Sequence, residues 1–227
     1  MDAGLPRTME QKQYLRRIHA MRLFKTAAML MALSLSAGAA SLPLPDQEPI
    51  PVSEEVSEIV LNLNGVADIE FVESDGFLGV QDLICSAVCS AKTLRVERSG
   101  PRLIFTQDSN RLSWTRWESL EAASYRLLLP KGRKVVVNGG NAALSGSIQA
   151  RSLSMHVSNL STHDLNVSVD DDLEISGALA HLDMRVKRAR RVFLRLGVLT
   201  GRLSAPTGTE LKDSSRRSTL RVRPNKD

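Results

Sequence analysis

Few side chains in this chain are of types that carry chemistry. The only cysteines, Cys85 and Cys89, have three residues between them in Leu83-Ile-Cys-Ser-Ala-Val-Cys-Ser90. Two thiols in an exported chain point to one disulfide, closing a loop so short that its entropic stabilisation is only on the order of 2 kcal/mol. The alternatives are free thiols or a metal or redox site. A metal would need further ligands, and His156 and His163 are too distant in sequence to be nominated. Asp170-Asp-Asp172 has the clustered carboxylates that calcium takes, but aspartate is also a turn residue, and Val169 and Leu173 flank the run as interior positions. Asp164, Glu174 and Asp183 are outward carboxylates with nothing in the spacing to bring them together. No Gly-x-Ser-x-Gly, His-Glu-x-x-His or phosphate-binding glycine loop occurs. The reading is therefore non-catalytic, with no cofactor and no metal. Its rival is a polysaccharide-processing enzyme, which requires at least two carboxylates within about 10 Å in a groove.

The best binding candidate is a cationic set: Arg185, Lys187, Arg188, Arg190, Arg191, Arg195 and Arg202. If Met184, Val186, Val192, Leu194 and Leu196 point inward, the period of two turns Arg185, Lys187, Arg191 and Arg195 outward, with Arg188, Arg190 and Arg202 in turns. Neighbouring strands would bring these charges to about 4.8 Å of one another. Repulsion at that spacing calls for a counterpart. It could come from the acidic residues Asp164, Asp170–Asp172 and Glu174, or from an anionic envelope component (a lipid headgroup or an acidic polysaccharide) or an envelope protein. Nucleic acid is not expected for an exported chain.

The elements that would position these residues are short strands. Leu153-Ser-Met-His-Val157, Leu173-Glu-Ile-Ser-Gly177, Val192-Phe-Leu-Arg-Leu196 and Leu211 have starts offset by 20, 19 and 19. Interleaved with them are Leu144, Leu165-Asn-Val-Ser-Val169, Leu182-Asp-Met-Arg-Val186, Leu203 and Leu220-Arg-Val222, with starts offset by 21, 17, 21 and 17. Two strands in each repeat of this length is the spacing of a β-solenoid and not of a helix pair. Ahead of Arg133 the pattern is less regular. Ile59-Val-Leu-Asn-Leu63 and Val66–Val72 flank Asn64-Gly65, which reads as a hairpin or as a corner. Thr93–Glu97 and Arg102–Thr106 flank Ser99-Gly-Pro101, and Ser124–Leu129 runs to Pro130-Lys-Gly132. Trp114 and Trp117 either cover the end of the apolar stack or form a surface patch.

The front of the chain reads as an export signal. Met21–Lys25 is a basic n-region, Thr26–Leu35 an apolar run too short to span a bilayer, and Ala37-Gly-Ala39 a cleavage site. The expected segments are 1–20, an extension ahead of a start at Met21 (Arg16-Arg17 as a twin-arginine signal is the alternative), 21–40, the signal peptide, and 41–55, an acidic proline-rich linker. The β-solenoid domain is 56–223. The mature protein would begin at Ala40 or Ser41, in the periplasm or at the cell surface.

Charge is unevenly spread. The formal net charge is +5, but residues 1–39 hold six basic and two acidic residues, so the remainder is nearly neutral. Ser41–Gly76 has nine acidic residues and no Lys or Arg, whereas Ala180–Asp227 has thirteen basic and four acidic. That polarity, more than the total, bears on partners.

Leu61-Asn-Leu-Asn-Gly-Val-Ala-Asp-Ile-Glu-Phe71, Leu94-Arg-Val-Glu97 with Leu103-Ile-Phe105, and Tyr125-Arg-Leu-Leu-Leu-Pro-Lys-Gly132 resemble successive parts of the head-GIN type adhesin domains, over residues 56–223. The resemblance implies a single-stranded right-handed β-solenoid on the envelope side of a bacterium. It also implies an adhesin-like, non-catalytic role for a domain family of largely unknown function.

Overall fold

A computed structural model describes residues 49–85, 94–107 and 122–225. The expected signal peptide, most of the expected linker, Cys89, Trp114 and Trp117 lie outside the described residues, as do the side-chain surroundings of Cys85. The described residues hold twelve strands and no helix: β1 Ile50–Pro51, β2 Glu58–Ser74, β3 Phe77–Cys85, β4 Leu94–Ser99, β5 Arg102–Gln107, β6 Ala122–Pro130, β7 Lys134–Ala150, β8 Ser152–Val169, β9 Asp172–Arg188, β10 Arg191–Ala205, β11 Glu210–Asp213 and β12 Arg217–Pro224. They form a mixed sheet in which β2, β7, β8, β9 and β10 are consecutive parallel neighbours. β11 and β12 both pair with β10, along its first and second halves.

Alternation of apolar and polar residues dictates which side chains are buried. Ile59, Val135, Leu153, Leu173 and Val192 share one ladder position, and Leu61, Val137, Met155, Ile175 and Leu194 the next inward one. All ten are at most 1% exposed and belong to one continuous apolar cluster. The expected register of this first ladder is the observed one, Leu153 to Leu173 to Val192 to Leu211.

The second ladder differs from expectation by a slip of two. Leu165 faces Met184 instead of Leu182, Met184 faces Leu203, and Leu203 faces Val222. Register shifts between Ser145 and Ser147, and between Ser161 and Leu165, take up one extra residue of β8, whereas β9, β10 and β12 pair at a constant offset through this ladder. A slip of two leaves every side chain on its own face, so periodicity is blind to it.

Asn64-Gly65 makes no hairpin. β2 runs through it unbroken, with Gly65 at φ 108° beside an irregularity between Leu63 and Val66. That left-handed conformation suits glycine and turns the strand without reversing it.

β2 lies between β7 on one edge and β5 and β6 on the other. β4 pairs antiparallel with β5, β3 with β6, and β1 with β3. Regular pairing thus begins at Ile50, ahead of the expected start of the folded domain at Val56, and Val52 is buried with its N–H donating to Gly76 O at 2.8 Å. These short antiparallel strands cover an edge that would otherwise offer unpaired backbone groups. Beneath them Tyr125 Oη donates to Gln107 Oε1 at 2.8 Å, and burial pushes the phenol well above its ordinary pKa.

Polar ladders tie neighbouring strands outside the core. Asn138 Nδ2 donates to Asn62 Oδ1 at 3.1 Å, and Asn159 Nδ2 to Asn141 Oδ1 at 2.7 Å. Glu58, on β2, accepts from Arg102 of β5 and from Lys134 of β7, the latter at 2.9 Å.

Candidate binding face: an arginine groove

The seven expected cations do not stack on one another. In the ladder, Arg185 faces Asn166 and Ser204, Arg191 faces Asp172 and Glu210, Arg195 faces Ser176, and Arg202 faces Asp183. Among the seven the expected row of like charges is replaced by neutral or acidic neighbours, although Arg202 also faces Arg221 on its other side.

At the turns joining β8, β9 and β10 the cations are matched internally. Arg191 grips Asp172 with two charge-assisted hydrogen bonds, Nε to Oδ1 at 2.8 Å and Nη2 to Oδ2 at 2.6 Å. The hydrogen bond from Arg191 is the main reason the Asp172 carboxyl sits below its ordinary pKa, against an opposing effect of burial. Arg191 also lies over the ring of Phe193 at 5.3 Å, with Lys212 over the same ring at 5.7 Å. Arg188 pairs with Asp170 at 3.1 Å and Arg151 with Asp171 at 3.3 Å. Arg190 adds a favourable field at Asp172 and Glu210. Asp170–Asp172 therefore point to three different arginines, in a turn. Among the described residues no cluster of three or more metal-ligating side chains occurs. Lys187 and Arg195 are exposed and stand apart from this network.

Arg185 and Arg202 belong to a second, separate place. With Arg223 they line a groove of about 530 Å³ whose other walls are Asp164, Asn166, Asp183, Met184, Leu203 and Ser204. Two ladder columns build it. One runs Asn166, Arg185, Ser204, Arg223 across β8, β9, β10 and β12, and the other runs Asp183, Arg202, Arg221. Arg185 and Arg223 share a column two strands apart, about 9–10 Å across the sheet, and Arg202 sits two residues along on the strand between them, so the three are staggered and not stacked. Among the described residues none of the three forms an ion pair.

Local chemistry holds the walls. The irregularity in β8 puts Asp164 at φ 49°, a conformation aspartate tolerates, and Asn166 Nδ2 donates to the Asp164 carbonyl at 3.1 Å. The same irregularity removes a regular ladder acceptor opposite Asp183. Its N–H donates instead to Oγ1 of Thr162 at 2.8 Å, a side chain buried completely. Next to Arg202, Gly201 has φ 106°, and a Cβ there would lie 2.0 Å from the Leu182 carbonyl oxygen. Only glycine lets β10 approach β9 this closely.

Asp164 and Asp183, expected to be unrelated, share this groove, whereas Glu174 lies on the first ladder opposite Phe193. Arg221, Arg223, Asn166 and Ser204 stand out only in the structure. The signal is nonetheless in the sequence: Arg185, Ser204 and Arg223 recur at one constant interval, that of the strand repeat, and Asp183, Arg202 and Arg221 recur at the same one.

No family model matches the chain, and no curated protein matches it. A solved structure of a "putative adhesin" from Bacteroides fragilis is similar at 11% identity, covering 79% of this chain and 95% of that one with a TM-score of 0.22.

Proposed function

We propose that this chain is an exported, non-catalytic cell-envelope protein that binds or scaffolds an anionic envelope component through the arginine groove, in the manner of an adhesin. The observation that carries the reading is the contrast among arginines. Those at the strand-joining turns are ion-paired to carboxylates, and Arg185, Arg202 and Arg223 form no ion pair among the described residues, although Asp164 and Asp183 line the same groove. Exposed cations held in one place without partners are free to meet an anion from outside. The basic n-region, apolar run and Ala-x-Ala site support export.

In this reading the parallel strands are successive turns of a right-handed β-solenoid, as the head-GIN resemblance implies. The links between them, such as Arg151 alone between β7 and β8, are too short for an ordinary parallel crossover, so the strands themselves carry the return path. Each strand pairs with the next one in sequence, as Met155 does with Ile175 and Ile175 with Leu194, which suits one turn per repeat.

The test is the triple variant R185Q/R202Q/R223Q, expressed in the source cells beside the wild type. Envelope retention is expected to fall while circular dichroism is unchanged; unchanged fractionation of a folded variant sinks the proposal. One observation favours a second reading, a polysaccharide-processing enzyme: Asp164 and Asp183 line the same groove. Reducing ends released from an acidic polysaccharide by the wild type, and not by D183N, would establish that reading instead.

A further inference from the structure

We infer that the groove takes a hydroxyl-bearing acidic polysaccharide, of the uronic-acid class, with Asp164 and Asp183 accepting hydrogen bonds from its hydroxyls while Arg185, Arg202 and Arg223 hold its carboxylates. The inference rests on the proposed function and names its ligand.

The groove mixes charges of both signs. A site built for a bare polyanion gains from every cation and loses from every nearby carboxylate, since a carboxylate offers no donor and repels the ligand. Here two aspartates line the same walls as three arginines. Among the described residues neither group neutralises the other through an ion pair, so both remain available. Asp183 is fixed through its backbone by the buried Thr162 hydroxyl, and Asp164 by the turn that Asn166 closes. A ligand that suits all five charged groups must present anionic oxygens and O–H donors together. Sugar acids do so at every unit; a phosphate or sulfate polymer without hydroxyls does not.

The polar remainder fits the same chemistry. Asn166 and Ser204, half-buried between the charged residues, add an amide and a hydroxyl that donate and accept. The apolar side chains at the groove, Met184 and Leu203, are buried in the core. Among the described residues no aromatic side chain lines it, so it lacks the apolar anchor around which protein interfaces are built. Arg185 on β9, Arg202 on β10 and Arg223 on β12 are staggered over three adjacent strands, so an acidic chain crossing the strands meets a cation on each. The groove is concave, a poor match to the flat headgroup plane of a bilayer.

The experiment uses the purified protein and the fold-checked double variant D164N/D183N, with three probes: polygalacturonate, inorganic polyphosphate, and phosphatidylglycerol–phosphatidylcholine vesicles. Isothermal titration should show polygalacturonate bound by the wild type and about tenfold more weakly by the variant, from loss of hydrogen bonds to charged acceptors. Polyphosphate binding should stay the same or tighten in the variant, because two negative charges are gone. If the variant binds polygalacturonate more tightly, the aspartates only repel and the saccharide inference fails, while the basic groove survives. Vesicle binding without polygalacturonate binding has the same consequence. If the wild type binds none of the three, both the ligand class and the anion-binding reading fall.

Discussion

Replacing Ile175 by alanine tests whether the apolar ladder, and not the outward polar pairing, holds the strands together. Ile175 lies in the interior of the parallel array, fully buried, with Met155 on one side in the ladder and Leu194 on the other. Truncation removes three carbons from a place where neither neighbour can collapse freely, because each is itself pinned by the next strand. The expected cost is about 2–5 kcal/mol, the range for large-to-small core substitutions. Leu220 gives the internal comparison. It sits on β12 at the end of the array, with a strand on one side only, and is only partly buried. Leu220→Ala should cost about 1 kcal/mol or less, because much of its surface is already wet. Thermal unfolding followed by circular dichroism separates the two. For a chain of this size about 3 kcal/mol lowers Tm by roughly 6–12 °C, against a few degrees at most for the terminal leucine. Equal shifts, or a larger one at Leu220, would refute the idea that burial between successive strands sets stability.

Acid should weaken the fold through specific carboxylates. Glu58 is held below its ordinary pKa chiefly by the hydrogen bond from Lys134, with Arg102 adding to it, and Asp172 by Arg191. A depressed folded-state pKa means that the stabilisation is complete above the unfolded value and is lost as pH falls through the folded one. The urea midpoint should therefore drop between about pH 5 and pH 3, and E58Q/D172N should flatten that slope. Gly201→Ala should lower Tm, since the backbone is at φ 106° and the new Cβ would meet the Leu182 carbonyl, at a cost of at least about 1–3 kcal/mol. Gly208→Ala, where nothing lies within 4 Å, should leave Tm unchanged.

The parts of the fold legible in the sequence were those that depend on side-chain type alone. Leu153, Leu173, Val192 and Leu211 fall in register because they lie at the regular starts of their strands, ahead of the irregularities that begin at Ser161. The strand pair Leu94–Ser99 and Arg102–Gln107 was equally readable, with Gly100 at φ 59° in its turn. The second ladder was misaligned by two because Leu182, Met184 and Val186, like Leu203 and Leu220 with Val222, alternate alike, so the apolar pattern fits either register. Asn64-Gly65 carried the composition of a hairpin, but the choice between reversing and merely bending belongs to the strands on either side, which claim both edges of β2. The groove was half visible. Arg185 was identified by being outward and Arg202 as a turn residue, although Arg202 lies within β10; grouping cations by nearness in sequence also gathered in Arg191 and Arg188, which have aspartates of their own, and left out Arg223.

The near-constant pairing offset governs how such a protein can change length. Lys134 of β7 meets Ser152 of β8, Leu153 of β8 meets Leu173 of β9, and Asp172 of β9 meets Arg191 of β10, so the interval from strand to strand hardly varies. Each strand presents to its successor the edge that it received from its predecessor. Duplication or loss of one such unit would leave both flanking strands facing a partner of the kind they already fit. An odd-numbered insertion within a strand would turn leucines outward and arginines inward from that point on, except where a bulge takes it up, as one does for the extra residue of β8 between Ser161 and Leu165. Gene-level change is thus filtered by the ladder into whole units. The number of strands between the antiparallel cap and the arginine groove is free to vary, while the two ends themselves are not.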